Sequence, residues 1–181
     1  IRLHKNRGPD DFGEFYNTDK SIRLGHTRLS ILDLSKLGHQ PMLSLDKRYS
    51  LVYNGEIYNF KELRSELSKY FKFKSNSDTE VILYSYIHYG YSFLEKLNGI
   101  FSLAIYDKKD DQLILARDRF GTKPLYYVKT PSGLYFASEL KALMTLEDIS
   151  LDIDYAAIEN YVNYLWNPSP STPLKAIKKL E

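Results

Sequence analysis

The chain of 181 residues contains no cysteine, so it can form neither a disulfide nor a thiolate metal site. It has four scattered histidines without a short metal-ligand spacing, for which packing or surface roles are the favoured interpretation. No apolar run approaches the roughly 18 residues needed to span a bilayer. A net charge of +2 gives no support for nucleic acid or a membrane as a partner.

The order of helical and strand-like segments predicts an α+β fold. Capping-box spacings at Asn59 with Glu62 and at Ser77 with Glu80 predict two helix starts. Strand-like segments with short polar connections follow Gly99, which predicts an antiparallel meander and then a helix over about 138–145. Helices therefore bracket two groups of strands, as expected for stacked antiparallel sheets.

A further helix is predicted after Asp154, which can serve as its N-cap. Its apolar residues recur at helical spacing and share one face. They are Tyr155, Ile158, Val162 and Leu165. A proline-rich stretch over 167–173 ends this helix.

The first candidate site is Asn54-Gly55, which follows a short apolar strand predicted over 49–53. One amide side chain and one backbone N–H could form an oxyanion hole, since Gly55 has no Cβ to obstruct access. A hairpin turn is the alternative, because Asn-Gly is a strong hairpin signal. A capped helix follows this pair, however, and the hairpin interpretation lacks the return strand it needs.

Two charged residues complete a candidate amino-acid site. Arg28, at the end of a predicted strand, could bind a ligand carboxylate through two parallel hydrogen bonds, although a surface role is favoured by spacing alone. Asp78, in the first turn of a helix, could accept a ligand ammonium, although the helix dipole alone explains a carboxylate there. Together with Asn54-Gly55 they suggest a site for an amino acid with a side-chain carbonyl.

At these residues the sequence resembles the glutaminase domain of glutamine-hydrolysing asparagine synthetases, a class II glutamine amidotransferase. The string RDRFGTKPL over 117–125 favours the asparagine-synthetase branch over related purine or hexosamine amidotransferases. The segments that carry the resemblance, in order, are 7–11, 28–32, 40–42, 53–59, 77–80, 97–101, 116–126 and 137–143.

The resemblance implies a four-layer αββα sandwich of two antiparallel sheets, of the N-terminal-nucleophile (Ntn) hydrolase type. It implies glutamine as substrate, split to glutamate and ammonia by a cysteine thiolate. At matching positions, Arg28 would hold the glutamine α-carboxylate, with Leu29, Ile31 and Leu32 shaping the same wall.

The resemblance also implies which residues would contact the α-ammonium and the side-chain carbonyl of glutamine. Asp78 would hold the α-ammonium, and Glu56 would help to fix that end. The Asn54 side chain and the Gly55 N–H would stabilise the tetrahedral oxyanion.

The main departure from the family is the nucleophile, a cysteine at the mature N-terminus whose own α-amine acts as base. The chain begins at Ile1, so we expect a fragment from which the first strand and that cysteine are missing. We expect residues 1–153 to form the amidotransferase domain. Residues 154–181 would be a helix and proline-rich linker leading to an absent ATP-dependent synthetase domain.

The expected function of the full-length protein is glutamine hydrolysis that supplies ammonia for ATP-dependent amidation of aspartate. No cofactor or metal is expected in this domain, whereas ATP and Mg²⁺ are implied for the synthetase domain. The expected partners are glutamine and the protein's own C-terminal synthetase domain, with a homodimer as a further option, and the expected location is the cytoplasm. Two alternatives stay open: an amidotransferase for a sugar or antibiotic precursor, and a non-catalytic glutamine-binding or interaction module.

We predict that the 181-residue polypeptide by itself releases no glutamate from glutamine, because it has no thiol nucleophile. A glutamate assay on the purified chain measures this directly. Glutamate release that the substitution Asn54→Ala abolishes would contradict the prediction.

Overall fold

The computed structural model describes residues 6–30 and 32–181, and their fold is α+β with antiparallel sheets, as the sequence predicted. The chain forms two compact units, Ile1–Ala116 and Arg117–Glu181. The four-layer arrangement and the missing first strand stay predictions. No helix in the described part of the chain is long and apolar enough to cross a membrane.

The strands of the first unit form a two-stranded and a four-stranded sheet. Strands β1 (Asp11–Tyr16) and β2 (Arg23–Arg28) pair antiparallel. The larger sheet has the order β3-β4-β5-β6, in which the neighbouring pairs β3-β4 and β4-β5 are antiparallel. Its strands are β3 (Met42–Leu43), β4 (Tyr49–Ile57), β5 (Gly99–Asp107) and β6 (Gln112–Arg117).

Three helices pack with the central strands around the core of this unit. They are α1 (Phe60–Leu67), α2 (Asp78–Tyr89) and α3 (Phe93–Lys96). Leu51, Tyr53 and Ile57, at alternate positions of β4, enter the same buried cluster as residues of α1 and α2. Strand β4 is thereby fixed against the start of α2, where Asp78 lies.

Strand β4 is longer than the sequence predicted. The predicted strand ended at Asn54-Gly55, but β4 continues to Ile57 because β5 pairs with it along its whole length. Asn54 lies opposite Ser102 and Gly55 opposite Phe101, so the pair is not a hairpin turn. The Asn-Gly pair therefore belongs to a regular strand.

The predicted capping boxes form only in part. Ser77 caps α2, since its Oγ accepts a hydrogen bond from the Thr79 N–H at 3.1 Å. Glu80 does not return to the Ser77 N–H; its carboxylate accepts from the Lys74 and Ser75 N–H groups of the preceding loop. The backbone N–H groups of that loop have no partner in a helix or sheet, and the Glu80 carboxylate accepts their hydrogen bonds instead.

Asn59 precedes α1 as predicted, but its side chain does not cap that helix. Its Nδ2 donates to the Lys96 carbonyl at 2.9 Å, and its Oδ1 accepts from the Asn98 N–H at 3.0 Å. Backbone groups at the end of α3 and just after it bind the Asn59 amide, which is therefore not available to cap α1. The predicted capping box at Asn59 and Glu62 is therefore wrong.

The second unit contains a separate sheet of order β8-β7-β9, so the single four-stranded meander predicted from the sequence is wrong. The third and fourth strands of the predicted meander pair with each other, and the third also pairs with the last strand of the chain. Residues from several segments form its core, among them Val128, Leu143 and Ile177. The elements are β7 (Tyr126–Thr130), β8 (Gly133–Ala137), β9 (Lys178–Lys179), α4 (Leu140–Leu143) and α5 (Tyr155–Tyr164).

Helix α5 begins as predicted, because Oδ1 of Asp154 accepts from the Ala157 N–H at 3.2 Å. Helix α4 is shorter than the predicted 138–145 helix and spans only four residues. Part of the proline-rich region is ordered: the side chain of Thr172 is fully buried and its Oγ1 donates to the Leu174 and Ile177 carbonyls.

Candidate functional site

The candidate site lies at the edge of β4 that β3 leaves uncovered. Strand β3 pairs with β4 only at Ser50 and Leu51. Beyond that point, the Tyr53 N–H donates to Oε1 of Gln40 at 2.7 Å, and the Ile57 N–H donates to Oδ2 of Asp78 at 3.1 Å. N–H groups two residues apart point to the same edge of a strand. The Gly55 N–H therefore points to this edge as well, between two N–H groups that bind side chains.

Tyr53 joins three elements at this edge. Its backbone carbonyl accepts a hydrogen bond from Nε2 of His26 in β2 at 3.0 Å. Its hydroxyl donates to Oδ2 of Asp78 at 2.7 Å. Gln40, which accepts from the Tyr53 N–H, also donates from Nε2 to Oγ1 of Thr79 at 3.4 Å. Tyr53 and Gln40 thus fix β4 and the start of α2 relative to each other.

Asn54 and Glu56 alternate with these residues and therefore project from the other face of the strand. Asn54 is partly exposed and Glu56 is exposed. Within residues 6–30 and 32–181 the Asn54 amide makes no hydrogen bond. A Cβ at Gly55 would collide with the Ile100 carbonyl oxygen and lie 2.7 Å from Cα of Phe101. Only glycine therefore fits at position 55 of the strand. The Asn54 amide, for its part, is free to bind a ligand.

Asp78 is a buried carboxylate, with 5% of its surface exposed. Burial raises its pKa, because removing a carboxylate from water disfavours the charged form. Hydrogen bonds from Tyr53 and the Ile57 N–H lower the pKa only in part, and the nearby charge of Glu56 raises it further. The negative charge of Asp78 is thus incompletely compensated, so a bound ammonium group would stabilise it.

Arg28 ends β2 and is buried, with 8% of its surface exposed. Its Nη1 donates to the Ser35 carbonyl at 2.9 Å, and its Nη2 donates to the Asp33 carbonyl. Gly38 lies against the guanidinium, where a Cβ would be 2.7 Å from Cζ. Arg28 therefore organises the loop that follows β2, and the expectation of a simple surface arginine is wrong.

The loop organised by Arg28 is connected to the helix that carries Asp78. Oδ2 of Asp33 accepts from the Asn76 N–H at 2.8 Å, two residues before α2 begins. Leu29 and Leu32 in the same region are 57% and 41% exposed, and Ile31 lies outside the described residues. A shared wall of Leu29, Ile31 and Leu32 beside a ligand stays a prediction.

The structure places four of the eight predicted residues, Asn54–Glu56 and Asp78, on β4 and at the start of α2. Asp78 contacts Tyr53 and Ile57, the residues that flank the Asn54–Glu56 segment on either side. Sequence reasoning did not identify Tyr53, Gln40 or His26 as residues that support the site. The signal that could have placed Tyr53 on the core face of β4 is its even spacing from the apolar residues Leu51 and Ile57. No group of metal-binding side chains occurs in the described part of the chain.

Comparison with known proteins shows to which protein family the chain belongs. A family model described as a glutamine amidotransferase domain matches residues 1–181. The chain belongs to the glutamine amidotransferase domain family, in agreement with the resemblance seen in the sequence.

Individual relatives share much of the chain. It is 44% identical over 176 residues, or 97% of its length, to asparagine synthetase [glutamine-hydrolyzing] 1 of Bacillus subtilis. It is 40% identical over 98% of its length to putative asparagine synthetase [glutamine-hydrolyzing] 2 of Methanocaldococcus jannaschii. It is also 41% identical, over 80% of its length and 22% of the relative's, to amidase chry2 of Gibberella zeae.

The chain corresponds to only a part of these relatives. It covers 27% of the Bacillus subtilis protein and 38% of the Methanocaldococcus jannaschii protein. What the relatives do as whole proteins therefore extends beyond the region that this chain matches.

His26 predicts how stability depends on pH. Burial lowers its pKa to about 4 from an ordinary 6.5, and the charge of Arg28 also lowers it. Between pH 6.5 and 4 the unfolded chain therefore binds a proton that the folded chain does not, and stability is lost as the pH falls. We expect this residue to account for a loss on the order of 3 kcal/mol in the free energy of unfolding.

Urea denaturation of the wild type and of the His26→Gln variant at pH 7 and near pH 4 measures this contribution. Glutamine can still donate to the Tyr53 carbonyl but does not titrate, so the variant should lose less stability in acid. An equal loss in both proteins would contradict the prediction.

Proposed function

We propose that the chain is the glutaminase part of an asparagine synthetase-like enzyme, which hydrolyses glutamine to glutamate and ammonia. The observation that carries the proposal is the uncovered edge of β4 at Asn54-Gly55, since the residues on either side of this segment, Tyr53 and Ile57, both donate to the buried carboxylate of Asp78. Family membership and the names of the two synthetase relatives support it.

In the proposed reaction, the cysteine thiolate that the family resemblance implies for the full-length protein attacks the side-chain amide carbon of glutamine. The carbonyl oxygen becomes an oxyanion as the carbon–sulfur bond forms. The Asn54 amide and the Gly55 N–H donate to that oxygen and so stabilise the tetrahedral intermediate. The α-amine of the cysteine, having taken the thiol proton, gives it to the leaving nitrogen as the carbon–nitrogen bond breaks and ammonia departs. Water then hydrolyses the thioester, which yields glutamate and restores the thiol.

The amino-acid end of glutamine fits the charges at the start of α2 and after β2. Its α-ammonium would compensate the buried Asp78, with the exposed Glu56 adding negative potential nearby. Its α-carboxylate would bind Arg28, whose guanidinium has N–H donors beyond the two that hold the Asp33 and Ser35 carbonyls.

In the full-length protein the ammonia would pass to a synthetase domain that amidates aspartate with ATP and Mg²⁺. No cofactor is proposed for the glutaminase part, and the cytoplasm and a homodimer stay expectations. A second candidate is an amidotransferase acting on a sugar or antibiotic precursor, since one similar protein, amidase chry2, is not named as an asparagine synthetase. A non-catalytic glutamine-binding module is the remaining alternative, and a native cysteine directly after the initiator methionine would argue against it.

In the nucleophile-bearing full-length protein, Asn54→Ala should reduce the rate of glutamine hydrolysis about 10²–10³-fold, because one oxyanion donor is lost. The effect should fall on kcat and leave KM nearly unchanged, since the donor acts in the transition state. Asn163→Ala, at an exposed position of α5, is the control and should keep wild-type kinetics. Hydrolysis at the wild-type rate in Asn54→Ala would refute the oxyanion assignment.

Arg28→Ala should weaken glutamine binding to the same full-length protein far more than Lys108→Ala, because in the proposed site Arg28 binds the α-carboxylate. Since Arg28 also holds its loop, Asp33→Ala serves as a second control that loosens the loop but keeps the cation. Calorimetric titration should rank the affinity loss with Arg28→Ala largest. Equal losses for Arg28→Ala and Asp33→Ala would assign the effect to the loop.

A further inference from the structure

Helix α5 exposes an apolar stripe that its own unit does not cover. The predicted face of Tyr155, Ile158, Val162 and Leu165 exists, but these side chains are 76%, 39%, 71% and 78% exposed. Tyr161 joins the same stripe and is 53% exposed. Residues at this spacing lie on one side of a helix and ordinarily pack against a core.

The same helix contributes almost nothing to the core of its own unit. Ala157 is the only buried residue among the ten of α5. An isolated helix of this length is only marginally stable in water, and helices in proteins are stabilised mainly by packing of an apolar face. Its large apolar side chains therefore call for a partner surface, because contiguous exposed apolar patches mark interaction sites.

The chemistry of the stripe suits a permanent interface. Glu159 is the only charged residue of α5, and Trp166, directly after the helix end, is 59% exposed. Permanent interfaces are more apolar than transient ones, with aromatic side chains enriched and charges depleted at their centre. The five side chains of the stripe are tyrosine or aliphatic and none is charged, as such a centre requires.

We propose that the α5 stripe docks against the synthetase domain of the same polypeptide, an inference that rests on the proposed function. The matched region accounts for 27% and 38% of the two synthetase relatives, so most of each relative's chain is available as a partner surface. Tethering in one polypeptide also gives such a domain a high effective concentration at α5. The apolar stripe is then the interface that connects the ammonia-producing part to the ammonia-consuming part.

Hydroxyl-radical footprinting of the full-length protein tests the proposal, with tyrosines of the same chain as matched references. Tyr91 and Tyr70 are 63% and 62% exposed in this structure, close to the values for Tyr155 and Tyr161. If the synthetase domain covers α5, then Tyr155 and Tyr161 are oxidised several-fold more slowly than the two references. Equal rates for all four would overturn the proposal.

Two single-residue variants of α5 distinguish docking of the stripe from other reasons for slow labelling of the tyrosines. In the full-length protein, Val162→Asp places a charge within the stripe and should raise the labelling of Tyr155 and Tyr161 to the reference rate. Asn163→Asp adds the same charge at an exposed position on the other side of α5 and should leave both tyrosines protected. Unchanged protection in Val162→Asp would count against the proposal.

Two further outcomes are decisive. Protection that disappears when the full-length protein is diluted to monomers would assign the stripe to a second copy and overturn the proposal. Because the labelling reports solvent cover and needs no glutamine hydrolysis, protected tyrosines in a protein without glutaminase activity would refute the proposed reaction and leave the docking intact.

Discussion

Strand β4 extends several residues past its short neighbour β3, and its backbone groups along that edge must find other partners. Tyr53 meets this constraint through Gln40 and His26, and Ile57 meets it through Asp78. These contacts bring the end of β2, the middle of β4 and the start of α2 together. The arrangement of the candidate site therefore follows from the side chains that form hydrogen bonds with the backbone groups at this edge of β4.

The same edge explains why charged groups are buried here. Burial raises the pKa of Asp78, and the tyrosine hydroxyl and backbone N–H that donate to its carboxylate offset this rise only in part. His26 is kept neutral for the related reason that burial and Arg28 disfavour its cation. A ligand with an ammonium group, such as an amino acid, would relieve the imbalance at Asp78.

Local chemistry made part of this structure predictable from sequence. The caps at Ser77 and Asp154 depend on side chains that bond to N–H groups two or three residues away, and both formed as predicted. Asn59 was misassigned because its amide binds groups almost forty residues distant in the chain. The inward position of Arg28 and the exposed face of α5 likewise depend on long-range packing, which periodicity does not reveal.

In the function proposed above, the strand edge at Gly55 and the carboxylate of Asp78 form the two ends of one glutamine site. The most direct test is a crystal structure of the nucleophile-bearing protein with a non-hydrolysable glutamine analogue. We expect the ligand's side-chain oxygen to accept hydrogen bonds from the Asn54 amide and the Gly55 N–H, and its α-ammonium to contact Asp78. A ligand bound away from the β4 edge, or with its ammonium group turned away from Asp78, would contradict the account.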